Sequence, residues 1–181
     1  MTTQQAVFLH NHWFDLYLPA SDIQAKVAEM GQRIRADFED KRPLFLIVLN
    51  GAFIFAADLV RACQIESELA FIKLSSYSGL STSGKVQTVM GLNVPLEGRH
   101  VIVVEDIIDS GKTMQALVPD LQRQNPGSVS IAALLLKPEC LAHPLHIEYL
   151  GFEIPNKFVV GYGLDYDGLG RGWASIYQIR K

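Results

Sequence analysis

The stretch from Arg99 to Gln115 limits what this chain can become more than any other: Arg-His-Val-Ile-Val-Val-Glu-Asp-Ile-Ile-Asp-Ser-Gly-Lys-Thr-Met-Gln. His100 to Val104 is a short run rich in β-branched residues, the composition of a strand buried on both faces. Glu105 and Asp106 stand where that strand is expected to run out. Asp109-Ser110-Gly111-Lys112-Thr113 then makes a polar turn, and Met114 to Leu121 resumes with helical spacing. The order is strand, loop, helix. In an open parallel sheet, ligands bind beyond the carboxyl ends of the strands, and the amides opening the next helix point at them. The turn can hold a phosphate with backbone N–H groups and the Ser110 and Thr113 hydroxyls, while Gly111 lets the backbone approach closely. Adjacent carboxylates beside such a cradle call for a cation or for sugar hydroxyls, and Mg²⁺ and ribose are the natural partners.

Gly111-Lys112-Thr113 also invites comparison with the nucleoside-triphosphate loop, which needs a glycine five residues before the Gly of Gly-Lys-Thr. Asp106 occupies that position. An acid is unfavourable in a loop whose amides must wrap polyphosphate, so this class is set aside. An ordinary capped strand–turn–helix accounts for Ser110 but not for Glu105, Asp106 and Asp109 together.

At 181 residues the chain is long enough for one domain with a substantial core, with room for a small appended lobe. Hydrophobic residues make up 49% and charged residues 19%, which suits a globular α/β protein and argues against disorder. The net charge of −3 leaves no electrostatic footprint for nucleic acid or an anionic membrane. Cys63 and Cys140 lack metal-ligand spacing and are expected to be free thiols in a reducing compartment. With no basic-then-apolar leader and no apolar run of membrane-spanning length, the expected location is cytoplasmic.

Val7 to Leu18 mixes aromatics with His10 and His12 and ends at Pro19. A histidine pair two apart can bind metal, but with no third ligand nearby a packed surface strand is expected. Ser21 is expected to cap a helix in which Ile23, Val27, Met30, Ile34 and Phe38 share a face. Leu44 to Leu49 reads as the first core strand, followed at once by Asn50-Gly51 and the apolar Ala52 to Cys63. This is a second anion-loop candidate, although taken alone it is also a plain β–α turn. Leu69 to Leu74 and Val86 to Met90 read as strands around a Ser/Gly/Thr-rich tract, Ser75 to Lys85. That tract is read as a mobile lid rather than an interdomain linker, because strands continue on both sides within one domain's length. Val129 to Leu136 is another buried strand. Lys137 follows it, on the same sheet edge as the acids. Trp173 to Ile179 is expected to return as an edge strand.

Val103 to Thr113 resembles the signature with which type I phosphoribosyltransferases bind 5-phosphoribosyl-1-diphosphate (PRPP), and the flanking sequence is most similar to the hypoxanthine-guanine branch of that family. The similarity runs from roughly Leu44 to Arg171. It implies an α/β fold with a mainly parallel twisted sheet flanked by helices, a small hood lobe from the N- and C-terminal segments, and a flexible lid at about 75–85. It implies transfer of the phosphoribosyl group to hypoxanthine or guanine, giving IMP or GMP and pyrophosphate through an oxocarbenium-like transition state.

By the same resemblance, PRPP meets Asn50, Gly51, Ser76, Tyr77, Glu105, Asp106, Asp109, Ser110, Gly111, Lys112, Thr113 and Arg171. Ser76-Tyr77 matches the pair that closes over PRPP. Asn50 stands where relatives commonly carry lysine, so the side-chain contact to pyrophosphate is lost while the backbone contact stays available. Ile107, Lys137, Phe158, Val159 and Asp165 surround the purine: Lys137 donates to the exocyclic oxygen, Phe158 stacks, and Val159 offers its backbone. Leu141 stands where some relatives carry another cation near the base. Glu105, Asp106 and Asp165 are the implied Mg²⁺ contacts, and Asp109 is the implied base for the purine N7 proton. Relatives are commonly dimers or tetramers. The alternatives are a xanthine or other-base phosphoribosyltransferase, or a non-catalytic PRPP- or nucleotide-sensing regulator. Asn50 favours the regulator; the intact Asp109, Asp165 and Arg171 and the negative net charge oppose it.

Overall fold

The computed structural model describes residues 4–76, 86–90, 92 and 94–180, with the backbone alone for 75–76 and 86–90. Tyr77 and most of the expected lid lie outside the described residues. The chain runs β1 (Ala6–Leu9), β2 (His12–Leu18), α1 (Ala20–Phe38), β3 (Leu44–Leu49), α2 (Phe53–Cys63), β4 (Glu68–Ser76), β5 (Val86–Met90), β6 (His100–Ile108), α3 (Lys112–Gln122), β7 (Ser128–Leu136), β8 (Tyr149–Glu153), β9 (Val159–Val160) and β10 (Ile176–Ile179). A single 3-10 turn, Pro138–Cys140, follows β7. No helix among the described residues is long and apolar enough to cross a membrane.

The main sheet has the order β5-β4-β3-β6-β7-β8, parallel from β4 through β8, with β5 antiparallel at one edge. The strands β3, β6 and β7 are apolar because both their faces are covered. From β3, Phe45 and Ile47 enter the core under α1 and α2, and Leu44, Leu46 and Val48 enter the one under α3. The expected stripe Ile23, Val27, Met30, Ile34 and Phe38 is the buried face of α1. From β3 the chain winds out to β4, then returns to the other side of β3 for β6 and proceeds to β7 and β8. The order therefore reverses between β3 and β6, so Asn50-Gly51 and Asp109–Gly111 leave the sheet on either side of the switch point, where ligands of such sheets bind.

A second, antiparallel sheet of order β1-β2-β10-β9 joins the two ends of the chain. The segment expected as one surface strand is instead the hairpin β1–β2. His10 and Asn11, both at positive φ, form its two-residue turn. The C-terminal strand is narrower than expected and is not an edge: β10 lies between β2 and β9. Nor does Ser21 cap α1, which begins at Ala20 after Pro19; the Ala20 N–H instead donates to Ser175 Oγ at 3.0 Å. Finally, β6 continues to Ile108. Its carboxylates lie inside the strand rather than beyond it.

Candidate active site

The extension of β6 takes Glu105 and Asp106 out of water; each is 8% exposed. Burial pushes the Glu105 carboxyl well above the ordinary range, and the neighbouring Asp106 charge pushes it further. Burial raises Asp106 as well, opposed by its hydrogen bonds, by the Ile107 amide at 3.0 Å from Oδ1, and by the Arg171 charge. The pair holds protons more tightly than isolated carboxylates do. Gly51 fits against it closely: a Cβ there would fall 1.8 Å from Asp106 Oδ2.

Beyond the strand, Gly111 (φ 75) turns the chain into α3, whose opening amides have no partner within the helix. Glu105, Ile107 to Ser110 and Gly111 to Met114 line a cavity of about 90 Å³. It lies at the turn where the sequence leads one to expect a phosphate. Leu141 packs over this loop, with its Cδ2 3.2 Å from where a Gly111 Cβ would stand, and Ala142 N–H donates to Ser110 O at 3.1 Å. Leu141 is therefore a wall of the loop and not a group facing the base pocket.

A second cavity, of about 230 Å³, shares Ile107 and Asp109 with the first. Asp106, Lys137, Phe158, Val159, Leu164 and Asp165 complete its lining, so all five expected purine contacts converge here. Leu164 was missed: an apolar residue in a Gly-rich segment carries no chemical signal of its own. Phe158 is 43% exposed, with Tyr166 edge-on behind it at 5.1 Å between ring centroids. Lys137 is buried, and its Nζ donates to Asp109 Oδ2 at 3.0 Å rather than facing the pocket alone. The two meet because Ile108 and Leu136 are register partners in parallel strands, and each residue follows directly.

Arg171 likewise has partners at hand: Nη2 lies 2.7 Å from Asp165 Oδ1 and Nη1 donates to the Gly163 carbonyl at 2.6 Å. The expected metal trio is not assembled as a cluster. Asp165 is turned to Arg171 and to the Gly168 amide, and no group of three or more His, Cys, Asp or Glu that could hold a metal occurs among the described residues. The donors still fit Mg²⁺, which commonly takes one or two carboxylates and fills its remaining positions with water and substrate oxygens. Glu105 and Asp106, adjacent and buried, supply such oxygen donors once they are ionised. The cis Leu49–Asn50 peptide opens the Asn50-Gly51 loop beside them. Ser76 closes β4, described by its backbone only.

A parallel sheet with a loop-lined cavity at its switch point and an acid-flanked pocket beside it defines a class, and the family comparison agrees: a family model for the phosphoribosyl transferase domain matches residues 17–167, and the chain belongs to that family. It is 42% identical over 157 residues to the hypoxanthine-guanine phosphoribosyltransferase of Mycobacterium bovis, covering 83% of this chain and 78% of that one. It is 37% identical over 158 residues to the hypoxanthine phosphoribosyltransferase of Buchnera aphidicola, covering 86% and 89%. A crystal structure of a hypoxanthine-guanine phosphoribosyltransferase from Bacillus anthracis superposes with a TM-score of 0.87 at 38% identity, covering 92% of this chain and 98% of that one.

Proposed function

We propose that the protein is a purine-salvage enzyme that transfers the 5-phosphoribosyl group of PRPP to hypoxanthine or guanine. The observation that carries this reading is the Lys137–Asp109 pair on the wall of the 230 Å³ cavity, donor and acceptor 3.0 Å apart. A 6-oxopurine presents O6 and N7–H side by side on one edge, so Lys137 donates to O6 while Asp109 accepts from N7. Adenine presents an amino group to the same lysine and is refused. Phe158 gives the base a flat apolar face, and the Val159 backbone meets its pyrimidine edge.

The 5′-phosphate sits on the Ser110–Thr113 loop, held by backbone amides and hydroxyls. Glu105 and Asp106 accept hydrogen bonds from the ribose hydroxyls. The purine N9–C1′ bond forms as the bond from C1′ to the pyrophosphate oxygen breaks, and the N7 proton passes to Asp109. Arg171 and the Gly51 amide face the charge gathering on the departing pyrophosphate. Glu105 and Asp106 would hold a Mg²⁺ ion, which would supply further neutralisation of that charge.

The antiparallel sheet serves as the hood over the base within one domain, because Val159, Tyr162, Leu164 and Ile176 share a core with α1 and α2. We place the enzyme in the cytoplasm, on its two free cysteines. It acts as a homodimer or homotetramer; Leu69 and Phe71, two apart on β4 and so on one face, are 50% and 44% exposed. The test supplies PRPP, Mg²⁺ and hypoxanthine or guanine and measures nucleotide and pyrophosphate together. Equal yields of both support the transfer; PRPP binding without product supports the regulator.

A further inference from the structure

Val160 leads into a tight turn in which Gly161 N–H donates to Leu164 O at 3.0 Å and Leu164 N–H donates to Gly161 O at 3.1 Å. Its central residues, Tyr162 (φ 52) and Gly163 (φ 100), are both left-handed, as a two-residue turn of this hand requires. Tyrosine is an unfavourable choice there on backbone grounds. Its side chain explains the placement: Tyr162 is 4% exposed, and its hydroxyl donates to Asp58 Oδ2 at 2.6 Å, midway along α2. The other Asp58 oxygen meets Arg61. Burial and the Asp58 charge both hold the phenol proton in place.

The turn makes a second contact with the same helix's entry loop. A Cβ on Gly163 would lie 2.1 Å from the Gly51 carbonyl oxygen, so the two backbones touch. Arg171 holds the Gly163 carbonyl from the other side. Val159 precedes the turn by two residues, Leu164 closes it and Asp165 follows, all three lining the base pocket. One turn therefore joins the purine wall to the pyrophosphate-side loop. Neither Asp58 nor Tyr162 lines either cavity of the site.

Resting on the phosphoribosyl-transfer reading, we propose that Asp58 and Tyr162 are positioning residues: their hydrogen bond fixes the purine wall against the Asn50-Gly51 loop and sets the approach of the purine nitrogen to ribose C1′. Small misplacements of reacting groups cost rate rather than binding. Tyr162→Phe, which removes one oxygen, lowers kcat about tenfold or more, with KM for PRPP and purine each within about twofold. Asp58→Ala does the same, and the double variant is no slower than either single one. Asp58→Asn, which keeps an acceptor for the phenol, restores kcat to within about threefold of the parent enzyme. Unchanged kcat in Tyr162→Phe with only a lower Tm, or losses that multiply in the double variant, would overturn the proposal. A parent enzyme without turnover on any purine would instead defeat the transfer reading, so the two failures are distinct.

Discussion

Asp109 stands between both cavities, half exposed, with Lys137 as its partner. If it takes the purine N7 proton, Asp109→Asn lowers turnover by about 10²- to 10⁴-fold, the usual contribution of a positioned base. PRPP affinity, measured by calorimetry on the same variant, stays within a few-fold. Equal losses in both would contradict the base role. The residue types at this site were legible because chemistry restricts them: acids before a Gly-bearing turn, and a lysine at a strand end. Their partners were not. Lys137 and Asp109 lie 28 residues apart, and only the β6–β7 register makes them neighbours. Arg171 was expected on pyrophosphate, whereas its ion pair with Asp165 depends on how a Gly-rich segment folds back.

The strand β6 carries a stability cost, because its continuation to Ile108 buries two adjacent acids. Both bind protons more tightly folded than unfolded. The free protein therefore loses stability as pH rises from the ordinary carboxylate range through the raised folded values. Glu105→Gln removes the larger part of that loss. Its Tm at pH 8 exceeds the parent's by roughly 2–4 °C per kcal/mol relieved, and the gap narrows as pH falls towards 5, while turnover with PRPP drops. A Tm gap that stays constant with pH would contradict this. Elements with a one-sided local pattern were readable: β3 has the expected bounds, and the α1 stripe is the buried one. The β1–β2 hairpin was not, since His10-Asn11 lacks the Asn-Gly pair that marks such turns. The interior place of β10 was not either, because pairing between the two ends of a chain leaves no local trace.

At the level of the whole molecule, Val159 of the second sheet and Tyr162 and Leu164 just after it join the main core beside the 230 Å³ cavity. The second sheet is thereby fixed to the α1–α2 face. Sedimentation at micromolar concentration is expected to show a dimer or tetramer, and Leu69→Lys with Phe71→Lys is expected to dissociate it; a monomeric parent protein would refute the assembly. This sheet edge is expected to join PRPP to a 6-oxopurine. The most direct measurement is turnover with PRPP and Mg²⁺ against hypoxanthine, guanine, xanthine, adenine, uracil and orotate, with product nucleotide detected for each. Turnover of hypoxanthine or guanine, with adenine, uracil and orotate inert, is the predicted result. Turnover of adenine or a pyrimidine in preference to both, or of none of the six, would contradict it.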